Sequence, residues 1–91
     1  MTPLQQFLEE ALTAGHRAQG AVALKDKAGA ASILDDFAKR SADRAIELAG
    51  PDATADDLMV FKSAIAAIAH DYTLAAVLLR SEALLEPKAN A

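Results

Sequence analysis

The sequence predicts an all-α protein, on three observations. Alanine, the best helix former and one that lets helix backbones approach closely, fills 23 of the 91 positions. Only four glycines and three prolines interrupt the chain. In each long segment the apolar residues recur at spacings of three and four rather than two. The expected architecture is a three-helix, up-down-up bundle whose long C-terminal helix mediates dimerisation. The alternative is a four-helix bundle in which the third helix breaks near His70–Thr73. Either way the chain makes one domain over 1–86, with a disordered tail at 87–91.

The first helix is expected from Pro3 to about Gln19. Thr2 suits the N-cap, and Pro3 suits the first helical position, where a missing N–H costs nothing. Leu4, Phe7, Leu8, Ala11, Leu12, Gly15 and Ala18 share one stripe. Polar residues, Glu9, Glu10, His16 and Arg17 among them, lie opposite. Gly15 in that stripe permits close approach of a neighbouring helix. Gly20 ends the helix, or the pattern continues through Val22. Residues 25–30 read as a connection.

The second helix is expected from about Ala31 to Ala49, its stripe formed by Leu34, Phe37, Ala38, Ser41, Ala45 and Leu48. Its outer face pairs Asp35 with Lys39, Asp36 with Arg40 and Lys39 with Asp43, each exposed pair adding only about 0.2–0.5 kcal/mol. Gly50 and Pro51 then stop the helix. Thr54 with Asp57 resembles a capping box for the next one, with Asp in place of Glu.

The third helix carries a heptad seam of Leu58, Phe61, Ile65, Ile68, Tyr72, Ala75 and Leu79. Nothing breaks it before Pro87, which makes it ~48 Å long against ~26–28 Å for each of the others. Beyond Asp71 a second flank becomes apolar: Leu74, Val77, Leu78, Leu84 and Leu85. On these lengths the first two helices shield only half of the third, and the overhang needs cover. Each of those five side chains left in water would forgo about 1.5–3 kcal/mol. With Tyr72 they are the predicted interface. The unbroken helix is the preferred reading, because the seam crosses His70–Thr73 in register and no glycine or proline marks a break.

Composition narrows the function. The net charge is −4 and the charges are interspersed, which disfavours nucleic acid. The absence of cysteine excludes a disulfide framework, a thiolate metal site and a cysteine nucleophile. Met1–Gln6 lacks the pattern of a signal peptide, and Ala64–Leu79, interrupted by His70 and Asp71, falls short of a membrane span. A soluble cytoplasmic protein without membrane attachment is expected. Abundant alanine with little lysine fits the coding bias of a GC-rich bacterial genome.

No catalytic, metal or cofactor-binding residues emerge. His16 and His70 have no carboxylate or second histidine three or four residues away, and His70 and Asp71 point about 100° apart on a helix, so they form no dyad. Glu9–Glu10, Asp35–Asp36 and Asp56–Asp57 read as helix-start or solvent-face acids. Serines 32, 41, 63 and 81 lack a nucleophile context, and no glycine-rich phosphate loop is present. The function expected is that of a non-enzymatic protein–protein interaction module: a small adaptor, an assembly or secretion chaperone, or an inhibitor. Its partners are a second copy, a helical protein, or both. The alternatives are a dimeric nucleic-acid-associated regulator using a basic loop at Lys25 and Lys27, and a bundle holding a small apolar ligand.

Overall fold

The computed structural model describes residues 2–52 and 54–86, with the side chains of these except at 57, 58 and 60. Three helices account for nearly all of them: α1 (Pro3–Ala23), α2 (Lys27–Ala49) and α3 (Ala55–Leu85). No strand occurs among the described residues, and the fold is all-α. α3 runs unbroken through His70–Thr73, so the four-helix alternative is excluded. The expected tail at 87–91 lies outside the described residues, as does the Asp57 half of the capping box.

Local chemistry explains the ends of α1 and α2. Thr2 caps α1 in a capping box: its hydroxyl accepts from the Gln5 amide at 3.1 Å, and the Gln5 side chain accepts from the Thr2 amide at 2.9 Å. α1 passes Gly20 and stops at Ala23, later than Gln19. The stop is a Schellman motif, with the Asp26 amide bonded to the Ala21 carbonyl (2.8 Å) and the Lys25 amide to that of Val22 (2.9 Å). Lys25 occupies the left-handed position usually held by glycine, at φ 62°. Asp26 then caps α2, its carboxylate accepting from the Gly29 amide at 2.9 Å. The connection therefore shrinks from the expected 25–30 to the few residues between Ala23 and Lys27. One aspartate finishes one helix and starts the next, and the alanine-rich run behind it propagates the second without delay. At the other end of α2, Gly50 takes φ 71° and Pro51 follows.

The core has two layers. In the first, Phe7 of α1, Ala45 of α2 and Phe61 of α3 meet, flanked by Leu4, Leu48, Ile65 and Ile68. In the second, Ala18, Ala30, Ala31, Leu34 and Ala76 pack together, with Tyr72 and Leu79 beside them. The four aromatic residues of the chain form a single row joining the layers. Phe61 meets Phe7 edge-on at 5.9 Å, Phe7 meets Phe37 at 5.4 Å, and Phe37 meets Tyr72 at 5.5 Å. Such pairs add about 0.5–1.5 kcal/mol each beyond burial.

This core is thin. Seven of its ten buried apolar residues are alanine, and Phe7 is the one large side chain fully enclosed among the described residues. α2 is the central helix, its backbone close to both α1 and α3, while α1 and α3 meet mainly through side chains, Phe7 with Phe61 and Tyr72 with Ala11. The molecule measures 57 × 19 × 14 Å between Cα atoms, with a radius of gyration of 15.5 Å. A compact chain of this length would have a radius near 12 Å.

Candidate functional site

The largest unexplained feature is apolar surface. Leu74, Val77 and Leu78 of α3 are each about half exposed, and Leu84 and Leu85 almost wholly so. Tyr72, grouped with them by its sequence position, is partly buried and lines the groove between α1 and α3. Its hydroxyl donates to the Ala11 carbonyl of α1 at 2.5 Å, and burial pushes its pKa up. Gly15, one turn beyond Ala11, makes room for that hydroxyl: a Cβ there would lie 3.1 Å from it.

The five exposed side chains are not an overhang, because α1 and α2 are longer than expected. α2 begins at Lys27, and the Lys27 ammonium bonds Glu86 (2.5 Å) and Glu82 (3.4 Å) near the far end of α3. Ala76 is fully buried beneath Ala30 and Ala31. The first two helices thus accompany α3 along most of its length, and what stays bare is its outward side.

α1 has exposed apolar side chains of its own. Leu8 and Leu12 belong to the expected core stripe, yet 44% and 59% of their surfaces are exposed. The buried line of α1 is Phe7, Ala11, Ala14 and Ala18. An apolar arc wide enough to hold Leu8 and Leu12 as well faces two neighbours, and α2 fills only one side. Between α1 and α3 runs an open groove of about 480 Å³, lined by Leu12, Val22, Leu34, Tyr72, Ala75 and Leu79 among others. On the other side of α3 a smaller depression of about 360 Å³ holds Ile46, Phe61 and Ile65. Arc width was the available signal for the α1 residues in the sequence.

The polar side chains serve the fold. Arg44 of α2 grips Glu10 of α1 with two hydrogen bonds of 2.7 Å, and also reaches Glu47 at 3.0 Å. The Arg44 bond holds the Glu10 carboxyl below its ordinary pKa, and Glu10 and Glu47 raise that of Arg44. Asp35 takes Lys39 at 3.1 Å, as expected, and also Arg80 of α3 at 3.4 Å. Lys39 is the main cause of its lowered pKa. Among the described residues Asp36–Arg40 and Lys39–Asp43 form no ion pair within 4.0 Å. Asp35 is a junction between helices rather than part of a solvent face. Lys27, expected in a basic loop, is the first residue of α2, and its bond to Glu86 raises its pKa.

His70 and three of the serines have local partners. His70 and Asp71 do approach, Nδ1 to Oδ1 at 3.5 Å, contrary to the expectation from helical spacing. Their side chains are 76% exposed and long enough to lean together across about 100° of helix. Ser41, Ser63 and Ser81 each donate back to a carbonyl of their own helix. No three His, Asp or Glu side chains gather as a metal-ligand set among the described residues.

The continuity of α3 also changes one membrane argument. Phe61–Leu85, 25 residues that include an 18-residue window with a mean hydropathy of 1.2, is long and apolar enough to cross a membrane by length and composition, which the shorter stretch Ala64–Leu79 was not. Compared with protein-family models, curated proteins and solved structures, the chain matches none. The reading of this surface therefore rests on its own chemistry.

Proposed function

We propose that the chain is a non-enzymatic, cytoplasmic interaction module, an up-down-up bundle that docks on another helical surface through the outward side of α3 and the groove beside α1. One observation carries this reading. Eleven large apolar side chains are exposed among the described residues, five of them between Leu74 and Leu85 of α3. Leu74, Val77 and Leu78 lie within about one turn of one another, and contiguous exposed apolar surface marks docking sites on soluble proteins. The pairing of Phe7 with Phe61 at one end, and of Ala18 with Ala76 at the other, supports the up-down-up course. A small adaptor, an assembly or secretion chaperone, and an inhibitor all use such a surface.

The competing readings fare less well on the same chemistry. A nucleic-acid partner would want free cations, and Lys27, Arg44 and Arg80 are bound to carboxylates. Membrane insertion of α3 would strip water from Lys62, Asp71, Arg80 and Glu82, at about 2.5–3.5 kcal/mol for each basic or aspartate residue near the bilayer centre.

Site-specific photo-crosslinking tests the proposal. A benzophenone side chain placed at position 78 should yield protein adducts on irradiation in the cells that make this protein. The same group at position 43, on the opposite side of the central helix, should yield none. Adducts to lipid alone, or none from position 78, would overturn the reading.

A further inference from the structure

Along the outward side of α3, Ala67, His70, Leu74, Val77, Ser81 and Leu84 recur at spacings of three, four, three, four and three, and all six are exposed. That is a second heptad seam, on the side of the helix away from Phe61, Tyr72 and Ala76. Neither α1 nor α2 covers it. Leu78 flanks this seam one turn from Ala75, which lines the α1–α3 groove.

We infer that two copies of this chain pair antiparallel across α3, with the two-fold axis close to Val77 and Leu78. The inference rests on the interaction module proposed above and names its partner. Three features point to a second copy. The seam has no Asp, Glu, Lys or Arg, so a two-fold axis brings no like charges of the seam together. All six seam residues are exposed in one copy, Leu74, Val77 and Leu84 at 49%, 51% and 86%, and a stable dimer of ordinary size removes about 800 Å² from each partner. The seam is also complementary to itself when reversed. About that axis Leu74 faces Ser81 of the other copy, large against small, and His70 faces the Leu84–Leu85 end. A parallel pair would set His70 on His70 and Ser81 on Ser81, and would align the two helix dipoles.

The test uses the full chain. Light scattering on a size-exclusion column at tens of micromolar should return twice the 9.5 kDa chain mass for the wild type. Leu78→Glu should return the single-chain mass with an unchanged helical circular-dichroism spectrum, since Leu78 is already 54% exposed in one copy. The chain has no cysteine, so single cysteines report geometry directly. Val77→Cys should form a disulfide-linked dimer on mild oxidation. Ala67→Cys and Leu84→Cys should not, being roughly 30 and 20 Å from their copies across that axis. Equal linkage at 67 and 84 would overturn the antiparallel arrangement, and a Leu78→Glu dimer would overturn the surface. A monomeric wild type would overturn the pairing outright. If such a monomer still gave adducts to a different protein from position 78, the interaction module would stand without the dimer; if it gave none, both would fall.

Discussion

At the scale of single residues, glycine separates two kinds of position in α1. Gly20 lies within the helix, and a Cβ added there would have nothing within 4 Å, whereas a Cβ on Gly15 would press on the Tyr72 hydroxyl at 3.1 Å. Gly20→Ala should therefore stabilise the fold by about 0.5–1 kcal/mol, the usual gain in helix propensity. Gly15→Ala should gain less or lose stability, because the same propensity is set against displacement of the Tyr72–Ala11 bond. Urea denaturation of the two variants side by side checks the order, and equal gains would show that Tyr72 yields freely. The closeness of Gly15 to a partner helix was legible from its place in the apolar stripe. That the partner atom is a tyrosine hydroxyl was not, because Tyr72 is 57 positions away in the chain.

At the scale of elements, the joint between α1 and α2 carries the most information. Asp26 serves as the cap of α2, and Lys25 holds a left-handed conformation that costs a side chain roughly 1–2 kcal/mol. Lys25→Gly should raise stability by about 1 kcal/mol, and Asp26→Ala should lower it by a similar amount through loss of the cap. Thermal melts followed by circular dichroism would read both. A neutral Asp26→Ala would mean that the alanine run starts α2 unaided. The expected connection over 25–30 included Gly29. In the structure Gly29 is the third residue of α2, and its missing side chain leaves the Asp26 carboxylate the space it occupies.

At the scale of the whole molecule, ion pairs tie the three helices at points the thin core does not cover. Glu10–Arg44 joins α1 to α2, while Lys27–Glu82–Glu86 and Asp35–Arg80 join α2 to α3. Glu10 and Asp35 have lowered pKa values in the fold, so their contribution is complete above the ordinary carboxylate range and is lost as pH falls through the depressed values. The midpoint of thermal unfolding should accordingly drop as pH is taken below about 4. Glu10→Gln should flatten that drop, because one of the linked protons is removed. An identical acid profile in the variant would show that the Arg44 grip adds nothing in solution. These pairs are at least partly exposed, and added salt should narrow the difference between variant and wild type.

Helix number, the continuity of α3 and the apolar character of its last third were all present in the sequence, because each depends on local propensity and on the spacing of residues a few positions apart. The tertiary structure decided which side of each helix is used. It buried Ala11, Ala14 and Ala18 and left Leu8 and Leu12 about half exposed, and it turned Glu10, Lys27 and Asp35 from solvent charges into ties between helices. A heptad pattern states that a helix has an apolar arc but not how many neighbours share it. That number depends on where the other two helices lie, and here α1 and α3, both leaning on α2, leave an open groove between them.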